Sequence, residues 1–544
     1  MGDSTATPRR VIVWLALLTL GTLALRLVGI GCGLPHHVEP DVMLVPHAAW
    51  FARPEGAGEG LLCAPYTYYP RFLAWLISIA PGRSYLCVPP VEAGLAAHLA
   101  ALAVPYLKAR IVIACLSVLA IPSTFFLARR FFDPRWSFLA AALVATSLLA
   151  TNYAQQARPH GAMIGLMALG LVLVLRLLDR PSWTNYALAG LGAGLALAGL
   201  HNGACVVLAL CAAHWLAPGR SWLRFALALL VVAACFLPSW WGILEQGLGK
   251  GAHGGASVGG QEVGGANYTA RGFVQIPRYL FGYEPVMCIL ALLALGAWAR
   301  RRERSKPLLV LAACFVPFVL VFGTRNVVEA RFFTPFVPVL ALLATGGLRV
   351  LGAPAALAAL ALAPQLYASS RLVVLRTQGE TLGLAAAWLV EHADREHDAI
   401  GVHPTFSLPL FTRRADLEAL HPRFRSTWEL YQLALPAEPA GAWDLRCLSR
   451  EEWWKSSPAA SVAELARAEQ LRYGLGVVPT GKAVGHNEVL AGLRSVGEPA
   501  LVLHPCEPVD VEISSSAYEL GYYAFLRVLR SRVWGHPLEI VRVK

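Results

Sequence analysis

From Val11 to about Tyr367 the chain alternates apolar runs of roughly 17–22 residues with polar connections, and a helix of that length crosses about 30 Å of hydrocarbon. Eleven such runs are read, at about 11–30, 108–128, 137–153, 161–178, 183–200, 203–217, 225–243, 277–299, 307–323, 332–348 and 353–368. After Ser369 the pattern becomes that of a water-soluble segment rich in Glu, Arg, His and Asp. There, Thr381–His392 places Leu382, Ala386, Leu389 and Val390 on one helical face, and Ala399–Val402, Gly476–Pro479 and Ala500–His504 read as short buried strands. The expected fold class is a polytopic α-helical membrane protein of about 11 transmembrane helices (residues 1–368), followed by a C-terminal soluble α/β domain (369–544).

Two connections are long. In the first, from Gly31 to about Leu107, Phe72–Ile77 and Ala93–Val104 are apolar but too short to span, which predicts helices lying at the interface. The second, from Glu245 to about Ile276, is rich in glycine and predicts a pliable loop.

Charge sets the orientation. Only 15% of the 544 residues are charged, against about a quarter in a soluble protein. The net charge of +12 does not point to nucleic acid, because Arg9-Arg10, Arg129-Arg130, Arg135 and Arg300-Arg301-Arg302 each lie beside an apolar run. The positive-inside rule then puts the N-terminus and these clusters inside, and the tail outside. The first run is read as an uncleaved anchor, since its apolar core is long for a signal peptide. The eleven cysteines contain no CxxC pair; Cys32, Cys63, Cys87, Cys447 and Cys506 fall outside, where a disulfide is chemically possible.

The candidate chemistry gathers on the outside. Glu39 and Asp41 follow the first run directly, where a carboxylate at the mouth of a bundle can take a proton from an acceptor; the plain alternative is two solvated acids. Lys108, Arg110, Arg158, His160 and Arg331, with Thr324-Arg325-Asn326, are basic groups at membrane depth against the charge bias. Arginine's planar fork suits phosphate, while an ion pair or snorkelling is the alternative for each, most of all for Arg331 beside Glu329. His201 reads as a polar turn. No cofactor is expected, although His36 and His37 with Glu39 and Asp41 are of the types that bind a divalent metal.

In this order the features resemble the GT-C superfamily of membrane glycosyltransferases, in particular the bacterial relatives of protein O-mannosyltransferases and the lipid A aminoarabinose transferase. Glu39-Pro40-Asp41-Val42 stands where those enzymes carry His-Pro-Asp-Glu, so the resemblance implies Asp41 as the catalytic residue, with Glu39 and Val42 as departures. Tyr69-Pro70, Ala109-Arg110-Ile111, Gln155–His160 and Arg331–Pro335 are similar to further family elements, with Gln156 in place of an acid. What the resemblance implies is inverting transfer of a sugar from a polyprenyl-phosphate donor to an outside glycan, lipid or protein acceptor. Asp41 would be the base and Glu39 its helper. Lys108, Arg110, Arg158, His160 and Arg331 would hold the donor phosphate, and Tyr68, Tyr69 and Pro70 would line the lipid and acceptor entrance. A bacterial inner membrane fits the resemblance, with membrane lipid as surroundings and the tail in the periplasm. Alternatives are a transporter or lipid flippase without chemistry, which the lack of an internal repeat argues against, and an inactive relative, which Val42 and Gln156 keep open.

Overall fold

A computed structural model describes residues 9–36, 39, 43–53, 63, 69–246, 248–250, 256–258, 261–263, 268–301, 305–403, 406–421, 425–448, 459–478, 487–506 and 520–544. Helix α1 (Arg9–Leu27) is followed by two nine-residue helices, α2 (Leu44–Ala52) and α3 (Arg71–Ile79), then by α4 (Leu95–Ser117) and α5 (Ala120–Ala128). The body continues through α6 (Pro134–Ala145), α7 (Leu148–Ala154), α8 (Pro159–Leu175), α9 (Trp183–Gly199), α10 (Ala204–Leu216) and α11 (Trp222–Gln246). It closes with α12 (Gly272–Tyr283), α13 (Pro285–Arg301), α14 (Lys306–Gly323), a 3₁₀ turn at Ala330–Phe336, α15 (Val337–Val350) and α16 (Ala355–Thr377). The starts of these helices are written locally. Asp133 accepts from the amides of Arg135 and Trp136, with Pro134 at the first helical position. Ser147, Ser182 and Ser305 each accept the amide three residues on.

Among the described residues, seven helical stretches are long and apolar enough to cross a membrane, and nine if each bent pair counts as one span. Two expected spans take the form of the shorter helices α9 and α10, of 17 and 13 residues. Two expectations are corrected. Ala93–Val104 is not a separate interfacial helix, because α4 runs unbroken from Leu95 through Ser117 with Pro105 inside it. The expected 277–299 span is bent by 120° between α12 and α13: Glu284 precedes Pro285, a position where helical backbone is disfavoured. A second bend, of 50°, separates α6 from α7. The helix expected at 353–368 continues to Thr377.

Small residues let the helices approach closely. A Cβ at Gly347 of α15 would stand 2.1 Å from the Leu290 carbonyl oxygen of α13, and one at Gly190 of α9 would stand 2.5 Å from that of Ala228 in α11.

Three short strands, β1 (Leu248–Lys250), β2 (Ala256–Val258) and β3 (Gln261–Val263), pair antiparallel in the glycine-rich connection. The tail holds a mixed sheet of β4 (Ala399–Val402), β5 (Leu445–Cys447), β6 (Leu471–Val477), β7 (Gly497–Leu503) and β8 (Leu538–Val543), in the order β5-β4-β6-β8-β7. Period-two alternation sorts its side chains. Ile400, Tyr473, Leu475 and Ile540 pack with α17 (Thr381–His392), whereas Ala399, Leu471 and Val541 pack with α20 (Ala459–Ala468) and α21 (Asn487–Val496) on the other face. Before β5 come α18 (Arg414–Ala419) and α19 (Thr427–Leu433); α22 is Ala524–Arg530. The expected strands at Gly476–Pro479 and Ala500–His504 meet the sheet only in part. β5 and β8 left no clear alternating pattern to read.

The tail is seated on the body by α19. Phe411, Trp428 and Tyr431 share one hydrophobic cluster with Leu44, Leu102 and Tyr106. The Tyr431 hydroxyl meets His98 Nδ1 at 2.6 Å, and Tyr106 donates to Thr427 Oγ1 at 3.3 Å. Trp428 is fully enclosed and donates its indole N–H to the Leu410 carbonyl at 3.0 Å. Trp428→Ala is expected to destabilise the protein by about 3–5 kcal/mol, the usual cost of emptying a buried aromatic site. Thermal unfolding of detergent-purified protein checks this, and an unchanged midpoint would show that the seat carries no load.

Candidate functional site

Glu39, a buried carboxylate, is one anchor of the first connection. Glu39 is 1% exposed. Its Oε1 accepts from Arg110 Nε at 3.0 Å and its Oε2 from Arg110 Nη2 at 2.5 Å, and the Ala157 amide also donates to Oε1. Arg110 Nη1 donates in turn to the carbonyls of Ile30 (2.7 Å) and Cys32 (2.9 Å). Glu39 therefore ties the loop after α1 both to α4 and to the turn between α7 and α8. Burial alone would push its carboxyl up; the Arg110 charge, its hydrogen bonds and the backbone donors outweigh that and hold it below the ordinary 4.5.

Lys108 brackets the same connection from another side of α4. Its Nζ donates to Ser78 O (3.2 Å), Gly82 O (2.8 Å) and Ser84 Oγ (2.6 Å), closing the end of α3. Lys108 and Arg110 thus act on the loop, apart from the other predicted phosphate ligands.

Those others come together. Arg158 is fully buried just ahead of Pro159, the first residue of α8. The His160 ring lies 5.6 Å from Phe332 and, edge-on, 6.4 Å from Tyr69. The Thr334 hydroxyl donates to the His160 carbonyl at 2.8 Å, which fastens the 3₁₀ turn to α8. Arg331 pairs with Glu329 and sits 5.1 Å over Phe332. Arg331, Arg158 and His201 all lie within electrostatic reach of His160, and Arg325 within reach of His201. Such a knot of cationic and imidazole groups suits a phosphate. Gln156, neutral where the resembling motif has an acid, accepts from Arg158 Nη1 at 3.4 Å.

In the sequence His201 looks like a polar turn, and Arg325 carries no signal beyond being a basic residue on the face expected to lie outside. The network behind the site has no local signature. Arg376 on α16 donates to Gln155 Oε1 and Asn152 Oδ1, both at 2.6 Å, and Gln155 Nε2 donates to the carbonyls of Arg26 (3.0 Å) and Val28 (2.7 Å). Pro70 caps α3 beside the buried Tyr69. Asp41 and Tyr68 lie outside the described residues. His36 pairs with Glu380, ahead of α17, joining the first connection to the tail. Among the described residues no three His, Cys, Asp or Glu side chains converge as a metal site.

Residues 88–241 match the family described as dolichyl-phosphate-mannose-protein mannosyltransferase. That segment contains Lys108, Arg110, Arg158 and His160, and the match bears out the resemblance read from the sequence. No curated protein matches the chain. Among solved structures it is similar to ArnT from Cupriavidus metallidurans bound to undecaprenyl phosphate, at 14% identity over 97% of this chain and 98% of that one, with a TM-score of 0.47. It is also similar to the oligosaccharyltransferase of Archaeoglobus fulgidus, at 14% identity over 90% of this chain and 73% of that one, with a TM-score of 0.43. The arabinofuranosyltransferase AftD from Mycobacteria shares 15% identity over 100% of this chain and 40% of its own, also with a TM-score of 0.43.

Removing one partner of a buried ion pair strands the other charge. Glu39→Gln is therefore expected to destabilise by about 3 kcal/mol, and Glu39→Gln with Arg110→Met by less than the sum of the two changes. Because the Glu39 carboxyl is held below 4.5 in the folded chain, its contribution is complete above that pH and fades as pH falls through the lowered value. Unfolding midpoints across pH 3–7 should show this acid loss in wild type and a smaller one in Glu39→Gln.

Proposed function

We propose that the chain is a membrane glycosyltransferase that moves a sugar from a polyprenyl-phosphate-linked donor to an acceptor on the outer face. The observation that carries this reading is the placement of buried Arg158 and His160 with Arg331 at one end of the bundle, where His160 and Arg331 both meet Phe332 and Thr334 is fastened to the His160 carbonyl. Glu39 anchors the chain to this same end through Ala157, two positions before Asp41. The matched family's description names a lipid-phosphate sugar as donor, and such a donor presents its phosphate at the membrane surface.

In the proposed step the acceptor oxygen attacks the anomeric carbon from the face opposite the phosphate. Asp41 takes the acceptor's proton as the new carbon–oxygen bond forms. The bond from the anomeric carbon to the phosphate oxygen breaks, and the polyprenyl phosphate departs with the electron pair. Arg158 and Arg331, with His160 and His201 as further donors, stabilise the charge that grows on that phosphate, so it needs no proton to leave. Glu39, Arg110 and Lys108 are positioning residues in this scheme, since their polar atoms hold the loop. Tyr68, Tyr69 and Pro70 shape the entrance, and the tail covers it. The donor, the acceptor and the outer-face, bacterial inner-membrane setting are parts of the same proposal, as is a reaction without a resident metal.

A transporter or flippase is the second reading. Its support is the pair of broken helices that meet at Glu284, a feature of membrane transport folds.

Purified wild type, Asp41→Asn and Arg158→Gln, incubated with radiolabelled polyprenyl-phosphate sugars, separate these readings. Glycosyl transfer predicts that wild type consumes one donor and that each variant is slower by about 100-fold or more. Full activity in Asp41→Asn would remove the proposed base. Translocation of a donor across vesicles without any new glycosidic bond would move the flippase reading ahead.

A further inference from the structure

Helix α8 leads away from the candidate site: Pro159 begins it beside His160, and Arg176 and Asp179 follow its other end. At that far end a separate cavity of about 490 Å³ opens, lined by Arg130 and Phe131 after α5, Trp298 of α13, Ser305 and Leu308 at the start of α14, and Arg349 of α15. Gly346 forms part of its wall.

The walls are aromatic and the rim is cationic. Phe131 stacks on Trp298, with centroids 6.4 Å apart at 26°. Arg349 lies 5.9 Å over the Phe132 ring and donates to the Phe131 carbonyl at 3.4 Å. Arg130 pairs with Asp179 at 2.5 Å. Each guanidinium carries five N–H donors, so these contacts leave most of them for a further acceptor. Among the described residues Asp179 is the single acid in contact with the two arginines, so these three side chains carry a net positive charge.

Two of the helices that line the cavity also carry exposed apolar side chains. Ile289, Leu292 and Leu295 of α13, and Leu309 and Val316 of α14, are all exposed side chains on spans. A soluble anion has no use for such tracks, whereas two acyl chains would lie along them.

We infer that this cavity binds the phosphate headgroup of an anionic diacyl phospholipid, on the face where the chain's positive charge is concentrated. Basic pockets between transmembrane helices suit such headgroups. The phosphodiester sits between Arg130 and Arg349, the Trp298 indole lies at headgroup level, and the acyl chains follow α13 and α14. The site is separate from the candidate transfer site and does not depend on what that site does.

The test uses the full chain, purified in a mild detergent and incubated with phosphatidylglycerol or phosphatidylcholine, with retained lipid counted by native mass spectrometry. Wild type should retain phosphatidylglycerol about tenfold over phosphatidylcholine. Arg349→Gln and Arg130→Gln should each lower that retention about fivefold, and Arg349→Lys should lower it less. Arg349 is exposed, so its variants are expected to fold; an unchanged unfolding midpoint in lipid-free detergent confirms that a loss is specific. Equal retention of both lipids, or retention indifferent to all three variants, would overturn the inference. Displacement of phosphatidylglycerol by millimolar inorganic phosphate would overturn it in favour of a soluble anion, and retention of polyprenyl phosphate in preference to phosphatidylglycerol would overturn it in favour of that lipid.

Discussion

The buried pair of Glu39 and Arg110 is the constraint on which the end of the bundle that carries the candidate site depends. Two charges withdrawn from water cost several kcal/mol each, and only full hydrogen bonding offsets that cost. Both Glu39 oxygens accept from Arg110, the Ala157 amide adds a third donor, and the remaining guanidinium N–H groups reach the carbonyls of Ile30 and Cys32. Any drift of the loop would strand a charge. Residues two apart on a helix point in nearly opposite directions, so Lys108 cannot share this task. It reaches instead to the end of α3, and α4 grips the long first connection at two places.

A second constraint acts deeper. A helix that breaks inside hydrocarbon leaves amides that water cannot satisfy. The break between α6 and α7 is met by Glu284, which accepts from the Ser147 hydroxyl at 2.6 Å and the Leu149 amide at 2.8 Å, while Ser147 Oγ takes the Ala150 amide. On the other side, Ser369 donates to the Thr146 carbonyl at 2.7 Å. Glu284 itself stands at the second break, between α12 and α13, so its side chain ties the two bends together. The redirected α7 leads straight into Gln155–His160, which is how a bend in the bundle aims Arg158 and His160 at the candidate site.

Charge is thus arranged at two levels. At one end, buried Arg158 and His160 lie with Arg331 about Phe332; at the other, Arg130 and Arg349 rim a cavity beside Trp298. The lipid-phosphate binding proposed for each end draws on the same physics of recognition: planar donors, low dielectric and an apolar path for the chains.

Much of this architecture is legible in the residues alone, because the signals are local. An apolar run flanked by arginines is costly anywhere but across a membrane, and Asp133, Ser147, Ser182 and Ser305 start their helices through amides three or fewer positions away. The amphipathic stripe of Thr381–His392 is of the same kind. The roles of the basic residues were not legible. Lys108 and Arg110 look as suited to phosphate as Arg158, and only their partners distinguish them: Arg110 finds Glu39 across 71 positions. His201 looks like a turn until the fold brings it to His160. The 120° bend had a local hint in Pro285, but its counterpart between α6 and α7 depends on a carboxylate 137 residues away. That a stretch is helical and apolar follows from hydropathy summed over neighbours. Whether a charged side chain serves as anchor or as ligand depends on which distant groups satisfy it, and that is settled only when the chain has packed.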